Sequence, residues 1–390
     1  MRKIATILVI AIFFCAGLQL AAQTGKPAWK GTVATKDGVK VVKNPSEPLY
    51  GEFVFDLKED LRLGGDPEKE ASYFPKGAML SVDAAGNLYV TDRGNRRVQM
   101  FDKNGAFIRT IGRQGQGPGE YMFPGGVYFD ADGNIWIDGG RQMVVFSKDG
   151  LFVRNVSIAK SLMRKMLGPG GSFIGTTQPS LAQGDPKLEL IKVEPDGKTL
   201  RTIAEFRNEL SQAKEAIAFH YYSTWISFVP VSADSFAYGF SGEYRIWYAD
   251  AEGRTLFVMT KAEKPQAISA GEKDETRKNG LYAWMGGNSR DEGVFFPDHR
   301  PYFEPYFAQF MADDAGRLYV PRPNSILEKD APTRVDVFSR EGVYLYRMTW
   351  ASRPTTIRAG FLYEVREDPE TSEYLVIRQK ITNWEAMKSR

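Results

Sequence analysis

Cysteine is nearly missing from this chain: Cys15 is the one copy in 390 residues. It falls inside an N-terminal stretch that reads as a secretory leader. Met1-Arg2-Lys3 precedes an apolar run from Ile4 to Leu20, and Ala21-Ala22 supplies the small residues that cleavage needs. We place the cut after Ala22. Phe13 and Phe14 stand where bacterial lipidation requires a small residue, so lipid attachment at Cys15 is not expected. The mature chain then has no thiol. Disulfides are excluded, and the fold must rest on its core. Histidine is scarce as well, with two copies, His220 and His299. A histidine- and cysteine-built zinc site is therefore excluded. Basic excess is also lacking: 51 Lys plus Arg face 48 Asp plus Glu. Nucleic acid is not an expected partner. Beyond the leader no apolar run is long enough for a span, so no stable membrane insertion is expected after its removal.

What is present is a repeat. An acidic or hydroxyl residue, two spacers and a glycine recur between β-rich segments. The copies are Asp102 to Gly105, Ser147 to Gly150, Glu194 to Gly197, Asp250 to Gly253 and Ser339 to Gly342. Most of these glycines lie roughly 45–55 residues apart, the length of a propeller blade. A second set aligns without gaps: Asp83 to Val90, Asp130 to Ile137 and Asp313 to Val320. In each, the Asp side chain is expected to accept backbone N–H groups, the glycine to close a tight turn with positive φ, and an aromatic-rich strand to follow.

The expected fold is all-β, a six-bladed β-propeller. Blade one covers Ala78 to Ile111, blade two Val127 to Val156 and blade three about Leu162 to Phe206. Blade four covers Trp225 to Thr260 and blade five Phe307 to Trp350. The last sheet has strands at Phe361 to Arg366 and Tyr374 to Lys380 and lacks its outer one. The spare N-terminal strand, Gly51 to Leu57, is expected to complete it and so close the ring. Gly253 and Gly342 are 89 residues apart. That gap predicts an insertion at about 262–300, with a surface helix and loop, between blades four and five. The domain reading is leader 1–22, extension 23–50, propeller 51–384 and tail 385–390.

The segment Gly77 to Gly119 resembles an NHL-type propeller. Asp83, Gly86-Asn87-Leu88-Tyr89-Val90, Thr91-Asp92, Asn95, Arg97-Val98-Gln99 and Phe101 carry the resemblance. The loop Gly115 to Tyr121 is similar to that of exported bacterial six-bladed propellers of unassigned role. NHL-like and TolB-like propellers include binding modules, lyases and lactonases, so the resemblance implies the fold and leaves activity open.

No catalytic residue is assigned. The zinc of the related amidating lyases has no histidine set here. Neither Ser172 nor Ser223 lies in a nucleophile elbow. His220 beside Tyr221-Tyr222 reads as a packing residue. The Gly112 to Gly119 loop lacks a Gly-Lys-Ser/Thr ending and is expected to connect blades, not to cradle phosphate. A channel calcium, as in lactonase-like propellers, is the one cofactor left open. Asp83, Asp130, Asp313 and Asn134 are on hand, but turn chemistry accounts for the three aspartates.

The remaining signal is a surface. Loops expected on one face carry Arg93, Asn95, Arg96, Arg113, Gln114, Gln116, Tyr121, Arg141, His299, Arg300, Tyr302, Tyr306, Arg322 and Asn324. Arginine and tyrosine combine flat apolar area with hydrogen-bond donors. The expectation is an exported, non-catalytic propeller that binds a peptide, protein or glycan there. A calcium-dependent lactonase-like hydrolase and a structural subunit of an envelope complex are the alternatives.

Overall fold

The computed structural model describes residues 27–140, 142–158, 162–177, 187–207, 217–285, 295–304 and 310–388. The expected leader, residues 1–22, lies outside them. Six blades form the ring, each on a four-stranded antiparallel plan that the N-terminal region completes in one blade and widens in another. Blade one is Ala78–Val82, Leu88–Asp92, Arg97–Phe101 and Phe107–Ile111, from channel to rim. Blades two to five repeat this order with outer strands Phe152–Ser157, Leu200–Arg207, Thr255–Lys261 and Tyr344–Trp350.

Turn chemistry explains where the strands reverse. Asp83 Oδ1 accepts the backbone N–H of Ala85 and Asn87, both at 2.9 Å. Asp130 and Asp313 do the same two and four residues on. Their second oxygen takes on another task. It accepts from the aromatic six residues later: Tyr89 at 3.4 Å, Trp136 at 2.9 Å and Tyr319 at 2.8 Å. One aspartate thus fixes the turn and satisfies the polar tip of a core aromatic.

The outer turns hold blade to blade. Gly150 has φ +77°, and a Cβ there would lie 3.0 Å from Ile111 on the outer strand of blade one. At Gly197, with φ +71°, a Cβ would fall on the Ser157 carbonyl of blade two. Gly105, Gly253 and Gly342 rest likewise on Leu61, Ile203 and Phe257 of the preceding blade. The repeated glycine is needed for its dihedral and for the lack of a side chain at an inter-blade contact.

The N-terminal region closes the ring, six residues later than the pattern predicted. Leu57–Leu63 pairs antiparallel with Tyr374–Ile381 and completes blade six. The expected segment instead runs along blade five, where Phe53 N–H donates to Arg347 O at 2.9 Å and Arg347 N–H to Gly51 O at 3.0 Å. The reason is burial. Phe53 and Phe55 are apolar enough to enter the blade-five cluster, and Phe53 sits 5.2 Å from the Tyr346 ring. The closing strand, LKEDLRL, is an outermost strand that needs few apolar side chains.

Upstream, Thr32–Lys36 and Val39–Asn44 form a hairpin turning at Asp37-Gly38, both with positive φ. Val39–Asn44 pairs parallel with Thr255–Lys261, so blade four has six strands. The chain therefore straps blades four, five and six in succession. Buried Asn44 pins the strap: its Nδ2 donates to Gly342 O at 2.8 Å and Thr260 O at 3.2 Å, and its Oδ1 accepts Tyr344 N–H at 2.8 Å.

The insertion after blade four carries the helix Ala270–Asn279, started by a capping box between Ser269 and Glu272. The strand Leu281–Met285 that follows it pairs with Ile217–His220, so the insertion joins the segment leading into blade four. Among the described residues no helix is long and apolar enough to cross a membrane.

Candidate functional site

Antiparallel blades send their connections to two faces. Turns between strands one and two, and between three and four, share one face. Loops between strands two and three, together with the inter-blade connections, share the other. The described candidate residues lie on that second, loop-rich face; Arg141 and Tyr306 lie outside the described residues.

Several of the candidates are tied into the scaffold. Asn95 donates to Asp92 from its backbone N–H at 3.0 Å and from Nδ2 at 2.8 Å. Buried Asp92 also holds Arg97 Nε at 2.9 Å. Tyr121 is a core residue: its hydroxyl donates to Ile111 O at 2.6 Å and accepts Val98 N–H at 3.2 Å. Exposed Arg113 pairs with Glu120 at 2.7 Å. Bonds from the Gly117 N–H and from Arg113 hold the Glu120 carboxyl below its ordinary range. Gln114 and Gln116 flank this loop, with Gln114 paired to Tyr121 in a short parallel bridge. Asn324 Nδ2 donates to Ala331 O and ties its own loop.

Near the insertion, His299 packs against Tyr302, with ring centroids 5.1 Å apart, and its Nδ1 contacts Arg300 O. Arg300 pairs with buried Glu272 at 2.8 Å. Arg322 bridges Glu263 and Asp336. His220 is fully buried. Its Nδ1 accepts Tyr222 N–H and its Nε2 contacts Phe295 O at 2.7 Å. Burial pushes this imidazole down to about 4, so it is neutral at ordinary pH and belongs to the packing.

The channel mouth gathers a second set. A cavity of about 470 Å³ is lined by Met79, Tyr128, Met163, Met166 and Phe228 from the inner strands of blades one to four. Phe123, Arg93, Lys165 and Asp138 complete its wall. Phe123 is 62% exposed, Met163 49% and Met79 40%. Arg96 stacks over Phe123 with its guanidinium carbon 4.6 Å from the ring centroid. Half-buried Lys165 pairs with Asp138 at 2.7 Å, so the one carboxylate in the described lining is already charge-paired. The arrangement offers apolar contact beside surplus positive charge. Of the sequence candidates, Arg93 lines this cavity and Arg96 reaches its rim through Phe123. Phe123, on the connection between blades one and two, and Met79, Tyr128, Met163, Met166, Phe228, Lys165 and Asp138 were not among them. The latter look like ordinary strand residues until the ring closes; the long apolar Met79 and Met163 on inner strands were the available signal.

A larger groove, about 520 Å³, lies on the rim where the N-terminal hairpin widens blade four. It is lined by Val41, Val258, Trp247, Lys36, Lys43 and Arg245, among others. Among the described residues no three His, Cys, Asp or Glu side chains come together as a metal cluster.

Residues 80–174 match the DUF5128 family, described as a 6-bladed beta-propeller. The chain is a six-bladed propeller. A provisionally named exported protein from Bacteroides fragilis NCTC 9343 is 11% identical with a TM-score of 0.52, over 88% of this chain and 99% of that one. A duf4221 family member from Bacteroides vulgatus ATCC 8482 is 10% identical with a TM-score of 0.45, over 83% of this propeller and 98% of the other. A gluconolactonase from Xanthomonas campestris is 13% identical with a TM-score of 0.38, over 84% and 96%. The likeness to the Bacteroides fragilis protein concerns fold alone. No curated protein sequence matches the propeller.

Proposed function

We propose that this propeller is an exported, non-catalytic binding protein whose loop-rich face seats a peptide or protein segment at the channel mouth. The observation that carries the reading is the exposed trio Met79, Phe123 and Met163 around a cavity bordered by Arg93, Arg96 and Lys165. Large apolar side chains left in water around a concave site gain free energy when a partner covers them. Cationic neighbours add a preference for acidic side chains beside the apolar ones. Asp138, the one carboxylate among the described lining residues, is held by Lys165 at 2.7 Å, which leaves the cationic character of the cavity unopposed. The leader at residues 1–22 supports export.

Peptides selected from a display library against the full propeller test the site, with a glycan array as the second arm. Selected peptides should combine apolar and acidic residues. Phe123→Ser and Met163→Ser should each weaken them about tenfold, the scale of a well-packed anchor. Selected peptides indifferent to both substitutions would refute the channel mouth as their seat. Strong array hits competing for the same residues would move the ligand class to glycans.

A further inference from the structure

Over the junction of blades four and five, Lys264, Gln266, Arg300, Tyr302, Arg322 and Arg334 enclose a narrow pocket. Two of its arginines are held by carboxylates. Arg300 donates from Nη2 to Glu272 Oε1 at 2.8 Å and from Nη1 to Gln266 Oε1 at 3.3 Å. Arg322 donates from Nη1 to Glu263 Oε2 at 3.1 Å and to Asp336 Oδ2 at 3.0 Å. The Nε–H of each is buried, and neither has a hydrogen-bond partner among the described residues. Buried donors are normally satisfied, so two orphaned N–H groups on neighbouring cations call for an acceptor. Lys264 and Arg334 are exposed and, among the described residues, form no ion pair. They leave the pocket with positive charge that Glu263, Glu272 and Asp336 do not cancel.

We propose that this pocket takes the oxyanion end of a phosphate or sulfate ester. A planar carboxylate is best matched by two parallel N–H groups of one guanidinium fork. Each guanidinium already spends N–H groups on carboxylates, Arg300 from Nη2 to Glu272 and Arg322 from Nη1 to Glu263 and Asp336, and each keeps one buried Nε–H without a partner among the described residues. The donors come from separate side chains lining the pocket, Lys264, Arg300, Arg322 and Arg334, which suits a tetrahedral oxyanion. Size decides between a free ion and an ester. The enclosed volume is about 10 Å³, room for a single water-sized group. One oxygen enters and the rest of the ligand lies outside, where Tyr302 offers a flat surface. The proposal does not rest on the channel mouth, and either can fail without the other.

The test is calorimetric titration of the full propeller with inorganic phosphate, phenyl phosphate, phenyl sulfate and benzoate at constant ionic strength. Both esters should bind, phenyl phosphate more tightly than inorganic phosphate, and benzoate about tenfold more weakly, the scale of one lost charge-assisted bond. Removing Arg322 would leave buried Asp336 short of a partner and confuse binding with folding. Lys264→Gln combined with Arg334→Gln avoids this. The double variant should keep the ligand-free melting temperature and weaken phenyl phosphate about tenfold. Benzoate binding as tightly as phenyl phosphate, inorganic phosphate matching or exceeding the ester, no ester binding at millimolar concentration, or a double variant without effect on affinity would each overturn the assignment.

Discussion

Asn44 offers the sharpest test of how the ring is strapped. Its side chain joins the N-terminal hairpin to blades four and five through Thr260 O, Gly342 O and Tyr344 N–H, and it also accepts from Trp29 Nε1 at 3.2 Å. It is 4% exposed, so water cannot replace these partners without opening the joint. Asn44→Ala removes both ends of the amide and strands the Gly342 carbonyl and the Tyr344 N–H. Each of the two buried orphans costs about 1–3 kcal/mol, so the loss should be about 2–6 kcal/mol. For a propeller of this size that corresponds to a melting temperature lower by about 3–8 °C. Asn44→Asp tests the same geometry differently. It keeps the acceptor for Tyr344 and turns the donor toward Gly342 into a repulsive contact, so it should also destabilise. Lys43→Ala, one residue away and exposed, should change stability by no more than about 0.5 kcal/mol. Urea unfolding followed by circular dichroism gives the global number. Hydrogen exchange at residues 32–44 gives the local one, and their amides should lose protection before the blades do. An Asn44→Ala protein within about 0.5 kcal/mol of wild type, with those amides still protected, would refute the strap as a stabilising joint.

Two glycines separate dihedral strain from steric contact. Gly197→Ala should cost about 2–4 kcal/mol in urea unfolding because its new methyl meets the Ser157 carbonyl, whereas Gly140→Ala, with φ +94° and nothing within 4 Å, should cost only about 1 kcal/mol. Acid should loosen the insertion in two stages. Burial alone would raise the Glu272 carboxyl, yet hydrogen bonds from Tyr222, Ser269 and Ser325 hold it at about 2. A depressed carboxylate stabilises above its unfolded value of 4.5, and that contribution, about 2–3 kcal/mol, drains away as pH falls from 4.5 toward 2. His220, held at about 4 against 6.5 by burial, favours the folded state above pH 6.5, and its contribution is lost as pH falls from 6.5 to 4. Denaturant titrations across pH should show both losses, with Glu272→Gln removing the lower one and His220→Gln the upper; unchanged slopes in these variants would refute the assignments.

Blade positions were legible because their signal is local. The Asp–Gly turns need only an aspartate side chain, a nearby N–H and a residue tolerant of positive φ. Asp83, Asp130 and Asp313 therefore mark their strands from sequence alone. The insertion helix was legible too, from a polar, charged run of good helix formers; the capping box of Ser269 and Glu272 that starts it is equally local but was not read. The N-terminal hairpin carried its own sign in Asp37-Gly38 between alternating residues, but it was read as part of a plain extension. The closing strand was misplaced because Gly51 to Leu57 is the more apolar segment, and apolar content says that a segment is buried without saying against what.

The site was less legible than the fold. Arg93 and Arg96 were singled out by residue type and reach the cavity, yet Tyr121 and Asn95 were singled out in the same way and serve the core and a turn. Met79, Met163 and Lys165 become a mouth only when four inner strands converge on one axis. Arg300 and Arg322 become a pocket only when the insertion returns to the edge of blade five. Sequence alone determined the turns, the period and the near-absence of thiol and imidazole chemistry, because each depends on a few adjacent residues. Tertiary structure alone decided which strand closes the ring, which cations stay unpaired and which apolar side chains remain in water, because those outcomes depend on partners far away along the chain.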